Sequence, residues 1–341
     1  MKEIIELKRT EMNNLQTNPL PDRDGVLGFL KNTKPLYYIR TNSLQRLYSE
    51  LFVNNPSENP QINKLEPVLE EYDAIISYPA RDDMNALLIK KQLLIRNSPE
   101  YQNRIRLYDQ YPYLAFNFRE PPFISVKEDT TDELLYLGPL PDRFLLLGTI
   151  ETFNKITGSP ACSGNTFPCI LLEEKRCPGY CLNAARYENE LKEFVLRYFL
   201  KINYGLLNSL NKKAAKLHDN LEFARENTIN RDIEILDEYY RYLPFYLTIK
   251  NLSGTFEHNG VTYSIKNGLM ESATIDNRSD TFSAINNYFT DYEKKELLAV
   301  PKENFREMWT LYKYFSFHYP EKIDEISRNS LLSIETFVRE L

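Results

Sequence analysis

The residues in this 341-residue chain that are best suited to specific chemistry are its four cysteines, which all lie in one short stretch. Cys162, Cys169, Cys177 and Cys181 are spaced C-x6-C-x7-C-x3-C. Zinc and iron–sulfur centres share thiolate ligands, so four thiols this close in sequence can converge on one metal centre. The alternatives are four buried thiols or two disulfides. No secretory signal precedes them, so we expect reduced thiols and favour the metal centre.

The composition limits the functions that the chain can have. Hydrophobic residues make up 42% and aromatic residues 13%, which is sufficient for packed cores. The net charge of −6 gives no general attraction to nucleic acid, so any such binding must come from local basic patches. No apolar run is long enough to span a bilayer. We therefore expect a cytoplasmic protein without a membrane segment.

The secondary-structure elements that would position functional side chains begin after a charged N-terminal arm, which is predicted for residues 1–18. Apolar runs at 25–30 and 35–39 flank a polar turn, which predicts a β-hairpin. A further strand is predicted at 73–78, and helical spacing of apolar residues predicts a helix at 84–96. This order of elements favours an α+β fold with a small mixed domain rather than a helical bundle.

Several short motifs in this region resemble, in the correct order, landmarks of the GIY-YIG domain of UvrC-type excision nucleases. They are Leu20-Pro21, Gly25-Val26, Leu36-Tyr37, the helix that starts at Ala86, and Tyr111-Pro112-Tyr113-Leu114. Three later motifs resemble the same family. They are Tyr136-Leu137-Gly138-Pro139, the P-C-x7-C-x3-C segment that begins at Pro168, and Asn220-Leu221-Glu222-Phe223-Ala224-Arg225. The resemblance implies an iron–sulfur cluster at the cysteines and a UVR hairpin, which in that family contacts UvrB.

The resemblance also assigns the positions of the nuclease site. The family's two tyrosines fall on Leu27 and Tyr37, and its basic residue falls on Arg40. Its helix arginine falls on Leu47, its metal-binding glutamate on Lys90 and its asparagine on Gln102. Only Tyr37 and Arg40 match the family. A lysine ammonium repels the divalent cation that a glutamate would bind, so we expect no magnesium there. The resemblance thus implies a degenerate site in which no catalytic residue is assigned.

Basic residues near these positions are candidates for contacts with DNA phosphates, which need cations but no catalytic geometry. The candidates are Arg40, Arg46, Lys90, Lys91, Arg104 and Arg106. The alternative is that they form a solvated helix face. Tyr37 also has an alternative, because tyrosine commonly packs within sheets.

The chain is divided by these patterns into successive segments. They are the arm (1–18), a GIY-YIG-like domain (19–118), a connector (119–157), a four-cysteine cluster module (158–186), a UVR-like helical hairpin (187–240) and a C-terminal region (241–341). In the last segment, Asn259-Gly260 and Asn267-Gly268 predict type I′ hairpins and a three-stranded meander. An aromatic-rich helix around Trp309 follows, and its helical spacing is more typical of a core than of base stacking.

Three functions are compatible with the sequence. The favoured one is a UvrC-like, repair-related protein that binds DNA without cutting it and holds a [4Fe–4S] cluster in preference to zinc. The first alternative is a single-incision endonuclease of the Cho type with a rearranged site. The second is a protein-interaction or redox scaffold that no longer binds DNA. The replaced catalytic positions argue against an enzyme, and a UvrB-like protein is a candidate partner.

Overall fold

The structure is a computed structural model of the chain. It describes residues 4–12, 18–53, 60–102, 104–105, 108, 110–130, 134–158, 169–175, 177, 179–275, 277–281 and 298–341. The described residues form two compact units. The first draws on Met1–Asp109, Ser253–Ile285 and Arg306–Tyr314, and the second on Gln110–Leu252, Asn286–Phe305 and Phe315–Leu341.

The described helices and strands occur largely in separate runs along the chain, as is typical of an α+β fold. In order they are β1 (Ile5–Lys8), α1 (Arg9–Met12), β2 (Gly25–Lys31), β3 (Lys34–Thr41), α2 (Leu44–Phe52), α3 (Pro60–Asn63), α4 (Glu66–Glu71), β4 (Ala74–Pro79), α5 (Asp83–Asn97), β5 (Tyr113–Phe116), β6 (Ile124–Lys127), β7 (Leu135–Gly138), α6 (Arg143–Thr157), α7 (Ile170–Glu173), α8 (Ala184–Tyr198), α9 (Tyr204–Asp219), α10 (Phe223–Thr248), β8 (Gly254–His258), β9 (Val261–Lys266), β10 (Leu269–Ile275), β11 (Arg278–Thr281), β12 (Leu298–Ala299), α11 (Phe305–His318) and α12 (Pro320–Glu340). The α+β class predicted from the sequence is confirmed.

The first unit contains an antiparallel sheet in the order β1-β4-β2-β3. Its hairpin, β2–β3, and the helix α5 were both predicted from the sequence. The predicted N-terminal arm contains a strand, β1. Its residues Ile5 and Leu7 pack towards the core, while Glu6 and Lys8 face solvent. That alternation is typical of a strand with one buried face.

A second antiparallel sheet in the first unit follows the order β11-β10-β9-β8. Both predicted Asn-Gly turns are present: φ is 52° and 75° at Asn259 and Gly260, and 50° and 74° at Asn267 and Gly268. The meander has four strands rather than the predicted three. The added strand β11 has the sequence RSDT and is mostly exposed, so no hydrophobic alternation marks it.

The second unit contains a four-stranded sheet in the order β12-β7-β5-β6, in which β12 is parallel to β7. Phe153 and Phe199, whose ring centroids are 4.6 Å apart, lie fully buried among its helices. The helices α9 and α10 are joined at Leu221, which adopts a φ of 60°. Strand β5 belongs to this unit, although the GIY-YIG-like domain was predicted to extend to residue 118. No helix in the described part of the chain is both long and apolar enough to cross a membrane.

Candidate functional site

Three of the positions that the resemblance assigned to the nuclease site lie in the hydrophobic core of the first unit. We call Leu27, Tyr37 and Leu47 the apolar side of the site. Their exposed fractions are 0%, 4% and 7%, and all three belong to one cluster of buried residues. Leu27 and Leu47 have no polar atom with which to activate water or bind a phosphoryl oxygen. Their side chains therefore contribute packing and no catalytic chemistry.

Tyr37 keeps the residue type of the family, but it is buried. Its backbone pairs with Phe29 on the neighbouring strand β2. Burial raises the pKa of the Tyr37 phenol to about 12, against an opposing effect of the Arg306 guanidinium. The phenol is therefore neutral at physiological pH. This environment agrees with the alternative that Tyr37 packs within the sheet.

Arg40 is anchored by other residues of the first unit. Its Nη1 lies 3.1 Å from Asp83 Oδ1, and its Nη2 donates a hydrogen bond of 3.1 Å to the Arg306 carbonyl. Only 14% of the side chain is exposed. Burial lowers the pKa of the guanidinium, whereas the Asp83 carboxylate raises it. An arginine remains charged under such conditions, so Arg40 is a fixed cation at the end of β3.

Lys90, at the position of the metal-binding glutamate, is partly buried on α5. Burial lowers the pKa of its ammonium to about 7, and the neighbouring charges of Arg40 and Arg306 add to this shift. The Glu307 carboxylate opposes the shift. Among the described residues, none forms a hydrogen bond or ion pair with Lys90. Lys90 therefore carries only part of its charge near pH 7, and it offers a metal ion no carboxylate.

Lys91, the next residue on α5, is held in a partly buried ion pair. Its Nζ lies 2.9 Å from Glu307 Oε1, with 13% and 10% of the two side chains exposed. The same Nζ donates to the Met270 carbonyl at 3.2 Å, and Glu307 accepts from the Met270 N–H at 2.8 Å. This closed arrangement connects α5, β10 and α11. We call Arg40, Asp83, Lys90, Lys91 and Glu307 the charged side of the site.

The other predicted phosphate-binding residues differ in their accessibility. Arg46 and Arg104 are 62% and 67% exposed and form local ion pairs with Glu50 and Glu100. Arg46 also donates a hydrogen bond to Asn42 Oδ1, and the Arg104 guanidinium lies over the Tyr101 ring. Arg106 lies outside the described residues. Gln102, at the position of the family's asparagine, accepts a hydrogen bond of 3.0 Å from the Tyr38 N–H. Arg46 and Arg104 therefore remain the accessible cations of the predicted set.

The residues that α11 adds to the charged side were not predicted from the sequence. Thr310 Oγ1 donates to Asp83 Oδ2 at 3.1 Å, and Lys313 Nζ lies 3.8 Å from the same oxygen. Arg306 and Glu307 complete the contacts of this helix with the charged side. Arg306, Thr310 and Lys313 have i, i+4, i+7 spacing, so a polar stripe on an aromatic helix was available as a signal.

Three of the four cysteines are described, and Cys162 lies outside the described residues. Cys169, Cys177 and Cys181 are free thiols, of which Cys177 is buried. The Gly179 N–H donates to Cys177 Sγ at 3.4 Å. Free thiols are chemically suited to zinc or an iron–sulfur cluster. However, the described residues contain no group of three or more His, Cys, Asp or Glu side chains arranged to hold a metal, so the described sulfurs do not by themselves form a ligand set.

The residues that the resemblance assigned to the nuclease site all lie in the first unit. Comparisons with known proteins show what the chain is similar to. UvrABC system protein C of Thermotoga maritima is 26% identical over 250 residues, which cover 71% of this chain and 40% of that protein. UvrABC system protein C of Clostridium acetobutylicum is 22% identical over 94% of this chain and 58% of that protein. The chain is thus similar to UvrABC system protein C over most of its own length, and it spans only part of the length of these relatives.

A solved structure is also similar to part of the chain. The crystal structure of the GIY-YIG N-terminal endonuclease domain of UvrC from Thermotoga maritima, bound to magnesium as its catalytic divalent cation, is 20% identical. It matches 28% of this chain and 99% of that domain, with a TM-score of 0.23. No protein-family model matches the chain.

Proposed function

We propose that this protein is a cytoplasmic, excision-repair-related DNA-binding protein whose GIY-YIG region no longer cuts DNA. The observation that carries the proposal is a lysine, Lys90, at the position assigned to the family's metal-binding glutamate, with Arg40 and Arg306 as positive neighbours. A divalent cation at this position would face the Arg40 and Arg306 guanidinium groups, and the carboxylates of Asp83 and Glu307 are already paired with cations. Leu27 and Leu47, both buried, stand at the positions assigned to the family's first tyrosine and its helix arginine, so the hydroxyl and the guanidinium are missing.

The carboxylates near the site support the same proposal. Asp83 interacts with Arg40, Thr310 and Lys313, and Glu307 with Lys91 and the Met270 N–H. A metal would have to displace these partners and leave buried cations unpaired, which is costly. The single-incision alternative requires such a rearrangement. Metal-dependent incision would therefore favour it over our proposal.

DNA binding is supported by the exposed cations Arg46 and Arg104, and its test is a salt titration. Fluorescence anisotropy with damaged and undamaged duplexes should show affinity falling linearly on a log–log plot against salt concentration. The double variant Arg46→Ala/Arg104→Ala should lower the slope by about one unit for each phosphate that the protein no longer neutralises. The matched control is Lys322→Ala/Arg328→Ala, which removes two exposed cations of α12. Absence of salt-dependent binding would favour the scaffold alternative.

We also propose that Cys162, Cys169, Cys177 and Cys181 hold a [4Fe–4S] cluster. The free state of the three described thiols and the resemblance of their spacing to the UvrC segment support this assignment. A cluster ligated by four thiolates stabilises its surroundings or carries electrons. Protein purified without oxygen should contain about four iron and four sulfide per chain, and each Cys→Ser variant should contain less. Zinc in place of iron would contradict the assignment.

A UvrB-like protein is the proposed partner of the hairpin formed by α9 and α10. Leu221 and Phe223, at the junction of these helices, are 73% and 50% exposed, which supports an apolar docking point. In a binding assay with purified UvrB, Leu221→Ala/Phe223→Ala should reduce affinity, whereas Lys212→Ala on the exposed face of α9 should not. If Leu221→Ala/Phe223→Ala bound UvrB with the same affinity as Lys212→Ala, this partner surface would be contradicted.

A further inference from the structure

The second unit contains a half-open cavity of about 460 Å³. It is lined by the loop that follows β5, by the start of β7 and by residues of α8 and α12. All of these lining residues belong to this one unit. Small-molecule sites typically have volumes of ~300–1,000 Å³, so the cavity has room for a ligand of that size.

Aromatic rings from two separate elements form walls of the cavity. Phe116 and Phe118, at the end of β5 and in the loop after it, are 1% and 7% exposed. Phe337 lines the cavity from α12, where it is partly exposed. An ion pair of 2.9 Å between Arg339 and Glu193 connects α12 to α8 close to this ring. These walls suit a flat, aromatic ligand, because rings stack on or pack edge-on against one another.

The cavity also has polar groups in defined positions. Asn117 Oδ1 accepts hydrogen bonds from the backbone N–H groups of Arg119 and Glu120, at 3.0 and 3.3 Å. This arrangement orients the amide, so that Nδ2 is its hydrogen-bond donor. Glu188 lines the cavity from α8, and its Oε1 lies 2.7 Å from Lys192 Nζ. The Lys192 side chain is only 7% exposed, so it holds the Glu188 carboxylate as an acceptor at the wall.

We propose that this cavity binds one unstacked nucleobase that carries an exocyclic amino group, such as adenine or cytosine. The inference rests on the proposed DNA binding and extends it from phosphate contacts to a base contact. In both bases an amino donor lies beside a ring nitrogen that accepts, which matches the Glu188 carboxylate and the Asn117 amide. The aromatic walls would stack on or pack against the base. Arg119, exposed at the same loop, is placed to contact an adjacent phosphate.

The polar groups favour a nucleobase over an apolar side chain of a partner protein. An apolar occupant would remove water from the Asn117 amide and the Glu188 carboxylate without giving either of them a new hydrogen bond. Thymine is a useful contrast, because it has no amino group to donate to Glu188.

Free nucleosides are the suitable probes, because they carry no phosphate. Saturation-transfer NMR titrations of the full chain with deoxyadenosine, deoxycytidine and thymidine measure the three affinities. Deoxyadenosine and deoxycytidine should bind at least about 5-fold more tightly than thymidine, as expected for a lost hydrogen bond to a charged group. The base protons should receive more saturation than the sugar protons.

Two variants test the two kinds of contact. Phe337→Leu should weaken deoxyadenosine binding roughly 5- to 20-fold, because a stacking surface is removed. Its matched control is Phe317→Leu, which changes an 82% exposed residue of α11 and should bind as the wild type does. Asn117→Asp keeps the oxygen that accepts from Arg119 and Glu120 but removes the amide donor, so it should weaken binding by about 2- to 10-fold.

Several results would overturn the pocket. They are absence of nucleoside binding by the wild type, equal affinities for the three nucleosides, and unchanged affinity for deoxyadenosine in both Phe337→Leu and Asn117→Asp. Tighter binding of toluene than of deoxyadenosine would also overturn it and would favour an apolar side chain of a partner as the occupant.

The absence of phosphate in the probes distinguishes failure of the pocket from failure of the proposed function. If nucleosides do not bind while duplexes bind with the expected salt dependence, only the pocket fails. If nucleosides bind as predicted but no nucleic acid binds, the proposed DNA binding fails and the pocket stands as a site for free nucleosides. Displacement of deoxyadenosine by single-stranded oligodeoxyadenylate would support both proposals.

Discussion

The apolar side and the charged side of the GIY-YIG-like site have changed in different ways. On the apolar side, Leu27 and Leu47 fill the core and leave no polar atom to satisfy. On the charged side, the side chains keep their charges and pair with one another, except for Lys90, which has no such partner among the described residues. A position filled by packing is intolerant of polar residues, whereas a position changed by charge reversal keeps a polar environment. Restoring the family's residue should therefore have opposite effects on the two sides.

The largest effect is expected from restoring the arginine on the apolar side. Leu47→Arg would put a guanidinium at a position that is 7% exposed. We expect the free energy of unfolding to fall by about 3–5 kcal/mol, because packing is disrupted and the buried charge has no partner. Urea denaturation followed by circular dichroism measures this change. Leu47→Met, which conserves volume, should cost less than about 1.5 kcal/mol; similar losses for both variants would contradict the difference between the sides.

A smaller loss is expected from breaking the ion pair on the charged side. Glu307→Gln leaves Lys91 partly buried without its counter-charge, although the new amide oxygen can still accept from the Met270 N–H. The expected loss is roughly 2–3 kcal/mol. Glu321→Gln, at an exposed position of α12, should change stability by less than about 0.5 kcal/mol. Adding Lys91→Met to Glu307→Gln should recover part of the loss, and a strictly additive double variant would show that the pair is not coupled.

The third prediction concerns the pH dependence of stability. The folded-state pKa of Lys90 is lowered to about 7 from its usual value of 10.5, so the unfolded chain binds more protons between these values. The stability cost is fully present below pH ~7 and is relieved as the pH rises towards ~10.5, with a slope of at most about 1.4 kcal/mol per pH unit. The difference in unfolding free energy between the wild type and Lys90→Met should follow this slope. A difference that is constant across the range would contradict the shifted pKa.

The smallest effect is expected from restoring the carboxylate on the charged side. Lys90→Glu replaces a lysine whose charged form is disfavoured by Arg40 and Arg306 with an anion that both guanidinium groups would attract. Stability should be retained or should rise by up to about 1 kcal/mol, since a partly exposed ion pair contributes little. The melting temperature, compared with that of Lys90→Met, measures the contribution of the charge. A large loss in Lys90→Glu alone would mean that the two sides do not differ as described.

Much of the local structure followed from the sequence. The hairpin β2–β3, helix α5 and both Asn-Gly turns result from short-range rules of periodicity and turn geometry. Strand β11 escaped prediction because its residues are polar and mostly exposed. The placement of Glu307 beside Lys91 depends on contacts between residues more than 200 positions apart, which no local pattern encodes. For the same reason the sequence could assign Lys90 to the position of the family's glutamate but could not show the pairing of its neighbours.

The central claim, that the GIY-YIG region no longer cuts DNA, is tested most directly by an incision assay. End-labelled damaged and undamaged duplexes would be incubated with protein purified without oxygen, in the presence of magnesium or manganese. We predict no incision with either metal, because Lys90 supplies no carboxylate for the cation and Leu27 and Leu47 cannot act on water or phosphate. Metal-dependent cutting that disappears in Tyr37→Phe would contradict this claim, since it would show that the site remains catalytic.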